Sequence, residues 1–190
     1  FGLIPVVSTT IYDDEIKELC MDQYIKCHTG SENDKLDRWL ETCEKFSIDN
    51  FVTVDCDDPF FDPDLAKLCF SKLYPHIHNV KQVVTPDMMA YLGSNGYGMS
   101  KATLEDICKN KMSNDTEMIW KHFPKNMTSY QIDARPSWIE KKIRLTLDYE
   151  EDYWLLRTVL RELGPFCQRK EIIDFFSCNR SLSLINEFRN

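Results

Sequence analysis

The sequence is short of the features that would direct a chain to a membrane, a nucleic acid or a disulfide scaffold. No stretch of its 190 residues approaches the ~20 consecutive apolar positions that span a bilayer. Its formal net charge is −8 and no long basic run offsets it, so neither nucleic acid nor an anionic membrane surface is an expected partner. The eight cysteines, at 20, 27, 43, 56, 69, 108, 167 and 178, include no C-x-x-C pair. Several fall on the apolar faces of predicted helices, which favours reduced core thiols in a cytoplasmic protein over disulfides or zinc. Methionine is missing from the first position, and Phe1 to Thr9 reads like an interior strand. An upstream segment is therefore expected.

The remainder has the composition of a globular protein, with 43% hydrophobic and 28% charged residues. The length suits one domain over residues 1–190. Strand-like runs alternate with helical patterns, predicting an α/β fold, a mostly parallel sheet with helices on both faces. Strands are predicted at Leu3–Thr9, about Lys26–His28, Phe51–Val54, Val80–Val84, Ser129–Ile132 and Ile143–Leu147. The spacing of Ile16, Leu19, Cys20 and Tyr24 predicts an early helix. A second helix, ending near Phe46, follows Ser31 and Asp34, which have capping-box-like spacing. Asp62-Pro63 opens a third with an N-cap acid and a first-turn proline. Thr103–Met112 and Thr116–His122 read as helical, and two short helices are expected between Lys170 and Phe188. A long helix follows Asp148, with Tyr153, Leu156 and Leu160 as its expected buried face and Gly164-Pro165 as its stop.

Two of the strands end in carboxylates. Phe51–Val54 runs into Asp55, Asp57 and Asp58, and Ile143–Leu147 runs into Asp148. In open α/β sheets, ligands sit outside the carboxyl ends of strands. Hard carboxylate oxygens there suit Mg²⁺ and a phosphate-bearing substrate. The competing reading of each acid is a helix-capping or solvated carboxylate. Gly93–Gly98 is a glycine-rich loop without the G-x-G-x-x-G or P-loop pattern, and Asn95 and Gly96 are its candidate ligand contacts. His76 and His78 have strand-compatible spacing for zinc but no third ligand nearby. The four tryptophans, at 39, 120, 138 and 154, read as core or interface aromatics.

Three phrases occur in one order: Gly30-Ser-Glu-Asn-Asp-Lys-Leu-Asp-Arg38, Val54-Asp-Cys-Asp-Asp-Pro-Phe-Phe-Asp-Pro63 and Ile143-Arg-Leu-Thr-Leu-Asp-Tyr-Glu-Glu-Asp-Tyr153. The series resembles the cytidylyltransferase family of the spore-coat polysaccharide biosynthesis protein F type, relatives of the synthetases for CMP-sialic acid and CMP-Kdo. The family pattern is roughly G-S-E-x-D-V-L-D-R, G-D-C-P-L-I-D-P and I-R-L-T-L-D-T-E-E-D-Y.

The resemblance implies a Rossmann-like nucleotide-diphospho-sugar transferase fold and transfer of CMP from CTP to a sugar or sugar acid. It implies Mg²⁺ held by Asp57 and Asp148, with Asp55 as an additional metal-facing group. Asp37 and Arg38 match the family's D-R and are candidate substrate contacts. The family's triphosphate-cradling strand and basic glycine loop are expected upstream of Phe1. Asn95-Gly-Tyr-Gly-Met-Ser100 stands where the family has D-G-x-D-x-E, and Asp115-Thr-Glu-Met-Ile119 replaces R-E-H-V-T, so the sugar does not carry over. Related synthetases are often dimers, which makes Tyr130–Trp138 a candidate homodimer interface. Two other functions remain open: a GT-A glycosyltransferase using Asp55-Cys56-Asp57 as its D-x-D, and a non-catalytic binding domain.

Overall fold

A computed structural model describes residues 3–73, 82–86, 96–132 and 143–189. Predictions at His76, His78, Asn95 and Trp138 lie outside these residues. The chain is mixed α/β. In order it forms β1 (Val6–Thr10), α1 (Asp14–Asp22), β2 (Lys26–Gly30), α2 (Lys35–Phe46), β3 (Asn50–Val52) and α3 (Pro63–Leu73). It continues with β4 (Gln82–Pro86), β5 (Gly98–Ser100), α4 (Lys101–Asn110), β6 (Thr128–Ile132), α5 (Glu150–Leu163) and α6 (Arg169–Cys178). Ile119–His122, Arg180–Ile185 and Glu187–Arg189 are 3₁₀ turns.

Strands β1 and β2 pair in parallel with Val6 opposite Lys26 and Thr10 opposite Gly30. The parallel pairing agrees with the predicted α/β architecture. A second sheet has the order β3-β5-β4-β6, and β5 runs antiparallel to β4 with Gly98 opposite Val84. The residues fall into two compact units. One is drawn from Phe1–Phe51, Leu73–Val83 and Met99–Thr128, the other from Val52–Lys72, Val84–Gly98 and Ser129–Asn190.

In the first unit, α2 starts one residue after Asp34, whose side chain accepts the Asp37 amide at 3.1 Å. Asp34 is therefore the N-cap, and Ser31 supports it by accepting the Asp34 amide at 3.1 Å. Asp34 is buried and also takes Thr116 Oγ1 at 3.1 Å and the Lys111 ammonium. Lys111 reaches Asp37 as well, at 3.7 Å. Burial lowers the Lys111 pKa, but the bond to Asp34 and the charges of both aspartates outweigh it and hold the ammonium above its ordinary value. Of the predicted apolar face of α1, Cys20 alone is buried; Ile16, Leu19 and Tyr24 are exposed.

In the second unit, Ile143, Leu145, Leu155, Leu156, Val159, Ile172 and Phe176 form one buried cluster. The buried stripe of α5 is Asp152, Leu155, Leu156 and Val159, an i, i+3, i+4, i+7 pattern. Tyr153 and Leu160, predicted to be buried, are each 47% exposed. Gly164 ends α5 at φ +83°, a conformation that only glycine adopts without cost. Among the described residues Ile143–Leu147 joins no strand ladder, contrary to the alternation that predicted one. Its alternation reports burial instead, with Ile143 and Leu145 inside. All eight cysteines are free; Cys20, Cys43 and Cys69 are buried as expected, whereas Cys56 and Cys178 are exposed. Burial pushes the Cys43 and Cys69 thiols up to about 11.

Candidate active site

The Asp55–Asp58 turn follows β3 and is closed by the Asp58 amide on the Asp55 carbonyl at 3.1 Å. Asp58 points inward, is 2% exposed, and its Oδ1 accepts the Thr146 hydroxyl at 2.9 Å. The next residue along, Leu147, donates its amide to the Asp57 carbonyl at 2.8 Å. These bonds join the two acidic chain segments that the sequence singled out, and they bring Asp57 and Asp148 into one neighbourhood. α3 leaves the turn where predicted: Asp62 Oδ1 accepts the Asp64 and Leu65 amides at 2.9 and 3.3 Å, while Oδ2 holds Arg169 Nε at 2.8 Å.

Gly96 belongs to the same unit. Thr53, at the end of β3, donates its amide to the Tyr97 carbonyl, and its hydroxyl accepts the Tyr97 amide, both at 2.9 Å. A Cβ built on Gly96 would collide with the Thr53 carbonyl oxygen, so the close approach requires glycine. Burial, followed by the nearby negative charge of Asp55, raises the Tyr97 phenol above its ordinary value. The 96–97 segment therefore sits beside the acidic turn.

Asp148 has a side chain 46% exposed, and its Oδ2 accepts Arg144 Nη2. Asp152 is wholly buried: its Oδ2 accepts the Asp148 and Tyr149 amides, each at 3.0 Å, and its Oδ1 accepts Arg144 Nε at 3.2 Å. Burial raises the Asp152 carboxyl; bonds from the Asp148 amide, Asn186, Arg144 and the Tyr149 amide outweigh it and leave the pKa below its ordinary value. Asp152 is thus a capping carboxylate at the start of α5.

Asp37 and Arg38 lie in the other unit. Arg38 is buried, and its Nη1 donates to the Ser31 and Glu32 carbonyls, at 3.2 Å for Glu32. Its Nε is buried without an acceptor among the described residues. Asp37 is half exposed in the first turn of α2. β1 and β2 run in register, so Thr10–Asp13 and Gly30–Asp34 emerge from the same end of that pair. Asp13 Oδ2 there accepts the Thr10 amide at 2.9 Å, the Thr10 hydroxyl at 2.8 Å and the Thr9 hydroxyl. These hydrogen bonds, from Thr9 first, bring the Asp13 carboxyl down to about 2.

The fold agrees with comparison to known proteins. The chain is 23% identical over 185 residues to the spore coat polysaccharide biosynthesis protein SpsF of Bacillus subtilis, covering 94% of this chain and 75% of that one. The chain is thus similar to SpsF along most of its length. It is also 27% identical over 188 residues to the uncharacterized protein MJ1063 of Methanocaldococcus jannaschii, covering 95% and 76% of the two chains. The solved structure of a cytidylyltransferase from Leptospira borgpetersenii superposes with a TM-score of 0.81 at 19% identity, over 93% of this chain and 77% of that chain. That likeness establishes a Rossmann-like nucleotidyltransferase fold. No protein-family model matches the chain.

No group of three or more His, Cys, Asp and Glu side chains among the described residues is arranged to hold a metal by itself. Two carboxylates on adjoining turns fit Mg²⁺, which binds through one or two carboxylates and completes its shell with water and substrate phosphates. Among the described residues, no helix is long and apolar enough to cross a membrane. Sequence reasoning missed Arg144, Thr146 and Asn186, whose partners are remote in sequence or masked by the strand-like alternation.

Proposed function

We propose that this chain is a Mg²⁺-dependent cytidylyltransferase that transfers CMP from CTP to a sugar or sugar acid for surface-polysaccharide assembly. The observation that carries the reading is the bond from the Leu147 amide to the Asp57 carbonyl, which sets the two carboxylate-bearing turns, at Asp57 and Asp148, side by side. Homology to the SpsF-type cytidylyltransferases supports the nucleotidyl-transfer chemistry.

In the reaction, an oxygen of the sugar hydroxyl forms a bond to the α-phosphorus of CTP as the bond to pyrophosphate breaks, and the hydroxyl proton passes to solvent. Mg²⁺, when bound, neutralises charge on the phosphates. Asp57 and Asp148 are the residues that would hold it, with Asp55 adding negative charge beside them. The chain's part is otherwise positional. Asp58 and Thr146 fix the first turn, Arg144 and Asp152 fix the second, and Gly96 allows the 96–97 segment to close on Thr53. Asp37, Arg38 and Asn95 remain the proposed substrate contacts.

The test is pyrophosphate release by the full-length protein with CTP, Mg²⁺ and a panel of sugars and sugar acids. CTP-specific release that vanishes in EDTA supports the proposal. A preference for a UDP- or GDP-sugar would favour the glycosyltransferase alternative, and no nucleotide binding at all would favour a non-catalytic domain.

A further inference from the structure

We infer that Asn186, in the last turns of the chain, is a positioning residue for Asp148. The inference rests on the proposal that Asp148 holds the metal. Asp148 is held by two groups: Arg144, through its side chain, and Asp152, through its amide. Asn186 ties those two together. Its Nδ2 donates to the Arg144 carbonyl at 3.0 Å and to Asp152 Oδ1 at 2.7 Å, so both amide protons are used on the brace.

Asn186 is completely buried, and its Oδ1 has no donor among the described residues. A leucine of similar volume would fill the space without leaving an acceptor unsatisfied, so packing alone does not account for an amide here. Arg189 extends the same grip. Its guanidinium stacks 4.1 Å from the Tyr149 ring and its Nη2 bonds Glu151 Oε1 at 3.2 Å. The segment from 186 to 189 therefore touches Arg144, Tyr149, Glu151 and Asp152, the residues around Asp148. Outer groups of this kind set the orientation of a metal ligand, and their loss weakens the metal by about tenfold or more.

The experiment is Mn²⁺ binding to the full-length protein in the presence of CTP, followed by electron paramagnetic resonance, for wild type, Asn186→Ala, Asp148→Ala and the double variant. The expected result is about tenfold weaker Mn²⁺ binding for Asn186→Ala and no further loss when it is added to Asp148→Ala. Wild-type affinity in Asn186→Ala, or an equal loss in both backgrounds, overturns the positioning role. Wild-type affinity in Asp148→Ala instead overturns the metal assignment beneath it. Arg189→Ala, altered at the surface, covers the case in which the buried variant does not fold: weaker Mn²⁺ binding supports the brace and unchanged binding counts against it.

Discussion

Leu147 gives its amide to the carbonyl of Asp57 at 2.8 Å, and the neighbouring Thr146 gives its hydroxyl to Asp58 at 2.9 Å. Two consecutive residues of one segment thus fasten two consecutive residues of the other. Thr146→Val removes the hydroxyl at nearly constant volume and leaves buried Asp58 less satisfied, at a cost of about 1–3 kcal/mol. Thermal melting is expected to show a lower Tm for Thr146→Val and a near-normal one for Thr146→Ser.

Gly96 is the second point where the site depends on backbone contact. Any Cβ there meets the Thr53 carbonyl, which is main chain and cannot swing aside. Gly96→Ala is expected to destabilise by about 1–3 kcal/mol, as overpacked sites do. Denaturant unfolding measures it, and an unchanged midpoint would contradict the close approach.

Buried Asp34 and partly buried Lys111 form an ion pair under α2. Removing one partner strands the other, so Lys111→Met is expected to cost about 3–5 kcal/mol. The double variant Asp34→Ala/Lys111→Met should lose less than the sum of the single variants in a double-mutant cycle, and strict additivity would deny the coupling.

Asp13 gives a pH signature. Its folded-state pKa, about 2, lies below the ordinary 3.8, so its contribution to stability is present above 3.8 and is lost as pH falls through the folded value. Carbon-13 NMR of the Asp13 carboxyl is expected to titrate near the lower value. Asp13→Asn should flatten acid unfolding across that window, and a midpoint at 3.8 would remove the effect.

Local signals in the sequence located most elements. Asp62-Pro63 opens α3, Gly164-Pro165 follows α5, and the β-branched run at Leu3–Thr9 became β1. Ile143–Leu147 misled because an alternating pattern reports which side chains are buried, not which strand receives the amides. Its polar backbone is spent elsewhere: the Leu147 amide on Asp57 and the Arg144 carbonyl on Asn186. The face of α5 is read from Tyr153, Leu156 and Leu160; Leu156 is buried, but the helix turns Asp152 inward as well because Arg144 and Asn186 satisfy that carboxylate. Such compensation is invisible until residues remote in sequence meet. The acidic pair itself was legible, since both aspartates follow apolar runs and precede helices. The bonds that bring their turns together were not.

The most direct measurement is calorimetric titration of CTP into the full-length protein, with Mg²⁺ and with EDTA, for wild type, Asp57→Ala and Asp148→Ala. Wild type is expected to bind CTP in a Mg²⁺-dependent manner, and each variant to lose that dependence together with ~10²-fold or more of turnover. Mg²⁺-dependent CTP binding and full turnover in both variants would contradict the assignment of Asp57 and Asp148.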